Sequence, residues 1–257
     1  MKGMTLLEAL LLGVLEGATE FLPISSTGHL ILARHALGIS ESPFTTSFLI
    51  AVQLGAIAAV LVRYWRSFLD IKVVKRLLAA FLPTALVGFA LYSLIKGYLL
   101  NNELVVVVAL LVGGVVLIVF EQFHQEGDGA DSLQGIRYRD AFLIGLFQSI
   151  AVIPGVSRSA ATIAGGLLLG IRRVAIVEFS FLLAVPTLLA ATGYDLLKTY
   201  QTFDTGNVGV MLAGALAAFV VASLALRFLL RFVKSYTFVP FGVYRILLAL
   251  VFLLFIL

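Results

Sequence analysis

Apolar residues in this chain come in long runs, and the polar residues collect at the breaks between them. Six runs, at about 44–64, 76–98, 103–121, 175–197, 207–231 and 239–257, reach the roughly 20 residues that a helix needs to cross a bilayer's hydrocarbon core. None has a charge near its centre. Two other runs, 4–22 and 141–153, stop at a proline-containing polar turn, and a short apolar piece follows each, at 29–38 and 160–171. None of these pieces is long enough to cross alone. Paired, they read as two re-entrant helical hairpins, tolerated at membrane depth only where the turn is buried in protein or faces a water-filled cavity. The alternative takes 4–22 and 141–157 as full spans and gives eight crossings.

The two broken segments belong to an internal repeat. Ser47-Phe-Leu-Ile-Ala-Val52 is nearly repeated as Ser180-Phe-Leu-Leu-Ala-Val185, 133 residues later. At an offset of 132, Gly13 and Glu16 match Gly145 and Gln148, and Ser25 and Thr27 match Ser157 and Ser159. Each half then holds one hairpin and three crossings. Three is odd, so the halves are inverted relative to each other, with their broken helices meeting near the midplane. The predicted fold is an all-α polytopic membrane protein: one membrane domain made of an inverted repeat, with six transmembrane helices plus two re-entrant helical hairpins. Its repeats run over about 4–121 and 139–257, joined by a cytoplasmic linker at about 122–138.

Composition agrees. Of 257 residues, 61% are hydrophobic and 12% charged, about half the charge of a soluble domain, and mean hydropathy is +1.10. Without Cys there are no disulfides, thiolate catalysts or thiolate metal sites. The net charge of +4 does not point to nucleic acid, because no basic run is interleaved with aromatics. Lys2 precedes an apolar run as in a signal peptide, but Glu8, Glu16 and Glu20 interrupt that run and no small-residue cleavage site closes it, so it is expected in the mature protein. In the six-crossing arrangement Arg63, Arg66, Lys72, Lys75, Arg76, Arg137, Arg139, Arg172, Arg173, Arg227, Arg231, Lys234 and Arg245 fall on one side. Lys2, Arg34, Lys96 and Lys198 fall on the other, which places both termini outside.

Ionisable groups within a bilayer cost about 2.5–3.5 kcal/mol each and mark function by default. Here they gather at the two turns. Glu16 and Glu20, four apart, share a helix face and repel unless a cation, a proton or an arginine lies between them. They suit Mg²⁺ or Ca²⁺ completed by substrate phosphate oxygens; a wet helix end with solvated acids is the plainer alternative. Pro23 followed by Ser25, Ser26 and Thr27 reads as a helix break and a new N-terminus, whose free N–H groups and hydroxyls attract an anion. Gly155, Ser157 and Ser159 build the same feature in the second half, although any one of these hydroxyls could serve only as a cap. Arg158 needs an anionic partner, either a buried carboxylate or a phosphate gripped bidentately. His29, beside the acids and serines, suits a general base acting on Ser26 or on a water. Glu178 reads equally as a cap, an ion-pair partner or a catalytic acid. Together the residues fit metal-assisted phosphoryl hydrolysis on a phosphate tethered to a lipid.

At these residues the sequence resembles the bacterial undecaprenyl-diphosphate phosphatases, also called bacitracin-resistance phosphatases. The likeness runs along almost the whole chain. It is most specific at Glu16-Gly-x-Thr-Glu20-Phe-Leu-Pro-x-Ser-Ser-Thr-Gly-His29, at Pro154-Gly-x-Ser-Arg-Ser-x-x-Thr162 and at Glu178-Phe-Ser-Phe-Leu-Leu-Ala-Val-Pro186. The resemblance implies a multi-pass enzyme of the bacterial inner (cytoplasmic) membrane that cleaves undecaprenyl diphosphate on its periplasmic side. It would recycle the lipid carrier for cell-wall synthesis, depend on Mg²⁺ or Ca²⁺, and counter bacitracin, which sequesters the same diphosphate. By motif position Glu16 and Glu20 would handle the metal, Ser26 would be the nucleophile with His29 as its base or as a direct participant, and Ser157, Arg158 and Thr162 would grip the diphosphate. The loops at 64–76 and 122–139 are short for the family.

Type 2 phosphatidic acid phosphatases also pair a Ser-Gly-His-like element with Ser-Arg. They need a second His several residues after that Arg, and only Thr162 interrupts the Ala, Gly, Leu and Ile residues of 160–171 here. A lipid-phosphate transporter or flippase is the competing class, since inverted repeats with broken helices are common among carriers. The acids beside Ser26 and His29 are what a pure carrier does not need. Gly-rich helices permit a homodimer without requiring one.

Overall fold

The computed structural model describes residues 4–199 and 208–255. These residues are all-helical, with no strand among them. In chain order the helices are α1 (Leu6–Thr19), α2 (Ser26–Ala36), α3 (Pro43–Ala51), α4 (Gln53–Tyr64), α5 (Ile71–Ala90), α6 (Tyr92–Gly97), α7 (Glu103–Phe123), α8 (Tyr138–Ser149), α9 (Arg158–Leu168), α10 (Arg173–Thr199), α11 (Val208–Phe232) and α12 (Val239–Phe255).

Five helical stretches are long and apolar enough to cross a membrane: Pro43–Tyr64, which joins α3 and α4, then Ile71–Ala90, Glu103–Phe123, Arg173–Lys198 and Val208–Phe232. A shorter apolar helix, Val239–Leu254, covers most of the sixth expected run. The ends of two expected runs, residue 207 and residues 256–257, lie outside the described residues. The polarity of the fold suits lipid. Leu7, Val62, Leu86, Val116, Leu216 and Leu224 face outward, whereas Glu16, Gln148, Thr162, Ser180 and Arg245 are fully enclosed. With its apolar exterior, its buried polar core and these helices, the chain is a multi-pass membrane protein.

One run is displaced from its expected place. The apolar run 76–98 predicts a span there, yet the helix is Ile71–Ala90 and takes in Lys72 and Lys75. The Asp70 side chain accepts from the Lys72 N–H at 2.8 Å and caps its start. Arg76 folds its guanidinium back onto the carbonyls of Lys72, Gln134 and Ile136, so its charge is satisfied within the first turns. The helix then breaks at Leu91, and the short α6 follows.

Close helix contacts need small residues, and they run between distant parts of the chain. A methyl group on Gly13 or Gly17 of α1 would strike backbone oxygens of α11, those of Gly214 and Ala218, at 2.2 and 2.5 Å. In the same way Gly145 of α8 presses on the Ala80 carbonyl of α5, and Gly114 of α7 on that of Gly242 in α12. Helices from before residue 124 therefore interlock with helices from beyond residue 137, bringing the two turns to one place.

Candidate active site

α1 stops where proline requires it. A helix continued through Pro23 would lose an N–H and crowd the carbonyl of Thr19, and α1 ends at Thr19. The chain turns through Phe21–Ile24 and restarts at Ser26, after Ser25 at φ 69°. The second turn repeats the construction. α8 ends at Ser149, a single 3-10 turn spans Ile150–Val152, and α9 starts at Arg158, after Ser157 at φ 77°. Each serine caps the helix that it precedes: Ser25 Oγ accepts from Gly28 N at 3.3 Å, and Ser157 Oγ from Ala160 N at 3.2 Å. Non-glycine residues at positive φ are uncommon, and such strain persists where the surroundings enforce it.

Three bonds join the turns to each other and to α10. Arg158 Nη2 donates to Glu20 Oε1 at 2.7 Å, Ser159 Oγ to the Leu22 carbonyl at 2.7 Å, and Arg158 Nη1 to the Ser180 carbonyl at 2.5 Å. The other oxygen of Glu20 accepts from Ser26 Oγ. Thr162 Oγ1 meets Ser180 Oγ at 2.6 Å, so Thr162 holds α9 on α10 below the arginine. A cavity of about 450 Å³ opens onto this group. Glu20, Ser25, Ser26, Thr27, Ser157 and Arg158 line one part of it, and Phe81, Phe89, Ile95 and Leu188 are among the apolar residues lining the rest.

Glu16 is fully buried one turn before Glu20, and neither of its carboxylate oxygens has a hydrogen-bond donor in bonding geometry. The charges acting on it are those of Glu20 and Arg158. His29 points elsewhere. Its Nδ1 lies 2.7 Å from the Ser25 carbonyl, an acceptor only, so Nδ1 carries the proton; Nε2 accepts from the Tyr244 hydroxyl at 2.8 Å, with the two rings parallel. Ser26 is thus bonded to Glu20, not to His29. Glu178 stands apart from the turns, accepting from the Tyr64 hydroxyl at 3.4 Å.

Two residues of α12 escaped the sequence reading. One is Tyr244. The other is Arg245, counted from sequence among the charges at one membrane face, which proves to be fully buried beneath both turns. Its guanidinium donates to the carbonyls of Pro23, Gly155 and Val156 at 3.3, 2.8 and 3.0 Å, and to Ala109 and Leu110 of α7 at 3.0 and 3.4 Å. Five donors meeting carbonyls of three segments make it the tie that fixes one turn against the other. Its position six residues inside an apolar helix was the available signal.

Among the described residues no three His, Asp or Glu side chains gather to hold a metal. The donor set nevertheless suits a hard cation completed by its ligand: Mg²⁺ is commonly held by one or two carboxylates plus substrate phosphates, and Glu16 offers two buried oxygens without donors. A hydroxyl on a carboxylate, a guanidinium from the facing turn and an adjoining apolar cavity can activate an oxygen nucleophile beside a bound anion.

Sequence comparisons fit this geometry. Residues 9–251 match the family model of bacitracin resistance protein BacA. A protein of Aquifex aeolicus is 48% identical over 250 residues, covering 97% of this chain and 98% of its own length. One of Persephonella marina is 50% identical over 256 residues (99% and 100%), and one of Thermus thermophilus 48% over 252 (96% of each). All three bear the name undecaprenyl-diphosphatase. With the match running through both turns and nearly end to end, the chain belongs to the bacitracin resistance protein BacA family.

Proposed function

We propose that this protein hydrolyses undecaprenyl diphosphate to undecaprenyl phosphate and inorganic phosphate, recycling the lipid carrier of cell-wall synthesis and thereby conferring resistance to bacitracin. The names of its relatives support the substrate. The observation that carries the chemistry is the Ser26–Glu20–Arg158 chain of bonds, which ties a hydroxyl, a carboxylate and a guanidinium from two separate turns.

In this reading Ser26 Oγ attacks the terminal phosphorus and its proton passes to Glu20. The bond from phosphorus to the bridging oxygen breaks, and undecaprenyl phosphate leaves. Water then attacks the phosphoryl-serine: its hydroxyl goes to phosphorus, Glu20 returns its proton to Ser26 Oγ, and inorganic phosphate leaves with the second proton of the water. Arg158 holds the transferred phosphoryl group and offsets its repulsion by Glu20, with the hydroxyls of Ser25, Thr27 and Ser157 and the N–H groups of two helix starts around it; Ser159, expected there too, is taken up by the Leu22 carbonyl and joins the turns instead. Thr162 fixes the start of α9. His29 holds the Ser25 carbonyl; to act as the base for Ser26 its Nε2 must exchange Tyr244 for the serine. Glu16 and Glu20 would hold Mg²⁺ or Ca²⁺, which supplies neutralisation of the diphosphate's charge.

The same reading extends to the membrane. α1, α2, α8 and α9 have 14, 11, 12 and 11 residues, so none exceeds about 21 Å against a core of about 30 Å. We read α1–α2 and α8–α9 as re-entrant hairpins and the rest as six crossings in inverted halves, 4–121 and 139–257. Positive φ at Ser25 and at Ser157, 132 residues apart, supports that duplication. Without Arg245 the count of Lys and Arg still favours both termini outside, in the bacterial inner membrane, with the site open to the periplasm.

Phosphate release from a polyprenyl diphosphate by the purified protein in detergent tests this, with Mg²⁺, with chelator and in Glu20→Gln. Metal-dependent release that disappears in the variant is expected. No release from folded protein would overturn the reading and turn attention to transport in sealed vesicles.

A further inference from the structure

We propose that Gln148 is a phosphate-binding residue of the cavity, its Oε1 accepting the proton of a P–OH group and holding a phosphate one step away from the two turns. The proposal rests on the phosphatase reading for the origin of that phosphate.

Gln148 is fully buried on α8 and lines the same cavity as Ser26 and Arg158. Its Nε2 lies 2.7 Å from Thr84 Oγ1 and 3.2 Å from Thr187 Oγ1. Both hydroxyl protons are already committed: Thr84 donates to the Gly145 carbonyl at 3.0 Å, and Thr187 to the Leu183 carbonyl at 2.8 Å. Each threonine can only accept from Gln148, so the amide nitrogen must face them and cannot exchange places with the oxygen. Oε1 is left buried without a donor. An acceptor stranded in this way costs about 1–3 kcal/mol until a ligand or a water supplies a proton.

A second stranded atom belongs to another residue that lines the cavity. Of the buried side-chain atoms without a partner among the described residues, those on cavity-lining residues are Gln148 Oε1 and Arg158 Nε, one acceptor and one donor. Arg158 binds α10 at Ser180 and Gln148 at Thr187, seven residues and about 10 Å farther along that helix. A bare phosphate trianion offers acceptors alone and suits the arginine end only. A single phosphate is too short to span anchors that far apart, but a hydrogen phosphate suits either end in turn, P–O⁻ at the guanidinium and P–OH at the amide oxygen. Inorganic phosphate keeps a P–OH at any pH below its last ionisation, so the product released at Ser26 matches the pair, as does a protonated diphosphate headgroup.

The repeat gives the position added meaning. Gln148 is the counterpart of Glu16, whose oxygens are likewise buried without donors. The site in the first half carries a charge that can bind a cation or a proton; the site in the second carries a neutral acceptor, which can take a proton donor without repelling an anion as a carboxylate would.

The test measures inhibition by inorganic phosphate, and KM for a polyprenyl diphosphate, in the wild type, Gln148→Met and Thr187→Val. Gln148→Met should raise the phosphate inhibition constant about tenfold, and Thr187→Val, which loosens the amide, about threefold. An unchanged KM beside that rise assigns the site to released phosphate; a parallel rise in KM assigns it to the substrate headgroup. Both constants unchanged in Gln148→Met would overturn the proposal and leave a water on Oε1. Should the wild type release no phosphate, the phosphatase reading fails first. The stabilisation of the wild type by phosphate against heat, and its loss in Gln148→Met, would then still decide whether Gln148 binds the anion.

Discussion

The two turns share one backbone device and carry opposite chemistry. Each breaks a helix with proline, drives a serine to positive φ, and restarts a helix whose first N–H groups that serine caps. The first residue of the new helix is Ser26 in one turn and Arg158 in the other. Around Ser26 stand two carboxylates; the same places in the second half hold Gln148 and no acid. The two turns thus present a hydroxyl on a carboxylate from one side and a guanidinium from the other. The bond between them, from Arg158 to Glu20, crosses the join. Division of labour follows from one side chain per turn, because the strained serine fixes where the next residue points.

The largest effects should come from erasing that pair. Ser26→Ala is expected to lower kcat by about 10³-fold or more with little change in KM, since it removes a group needed only once substrate is bound. Arg158→Ala should lower kcat/KM by about 10²–10³-fold and raise KM as well, because the guanidinium contacts phosphate before and during transfer. If Ser26→Ala keeps a near-normal rate, the attacking group is water or His29. If Arg158→Ala leaves KM alone, its partner is Glu20 and not phosphate. The double variant should lose little beyond Ser26→Ala, as residues acting as a unit do.

A smaller effect separates the turns at one glycine. Gly155 has φ +96°, and a methyl group there would lie 2.7 Å from the Val106 carbonyl and 2.8 Å from Ala109 Cβ, so the second turn sits directly on α7. Gly155→Ala should cost about 2 kcal/mol of stability, read as a lower midpoint of thermal unfolding in detergent. Gly28→Ala near the first turn meets its nearest neighbours at 3.2–3.4 Å and should cost clearly less. Equal losses would mean that the second turn has room the geometry denies it.

Much of this was legible in the chain itself. Prolines within polar breaks located both turns, and the 132-residue offset paired Ser25 with Ser157 before either was known to be strained. The spacing of Glu16 and Glu20 placed them on one helix face, which the structure bears out in α1 and its C-cap. Long-range pairing was harder to see. Nothing in the residues near His29 reveals that Tyr244, 215 positions later, takes its Nε2. From sequence Arg245 reads as a charge at a membrane face, because the carbonyls that satisfy it come from three segments and backbone acceptors leave no mark in a sequence. The start of α5 is hidden for a related reason, since the guanidinium of Arg76 folds onto backbone carbonyls.

The finest test asks whether the two strained serines are one device. Ser25→Ala removes a cap worth about 1 kcal/mol and keeps a Cβ at positive φ. Ser25→Gly loses the same hydroxyl, but glycine adopts φ 69° without the clash, and a Gly cap falls short of Ser by only a few tenths of a kcal/mol. The alanine variant should therefore be less stable than the glycine variant by about 1 kcal/mol, as measured by thermal unfolding of the purified protein. Ser157 at φ 77° should show the same order. Its alanine variant loses slightly more, because Ser157 Oγ also meets Ser159 Oγ at 3.1 Å, and Ser159 is the residue that bonds across to Leu22. Matching differences at both serines would mean that each turn is held open by the same local strain. A glycine penalty at Ser157 alone would mean that its hydroxyl serves the contact between the turns more than the cap of its own helix.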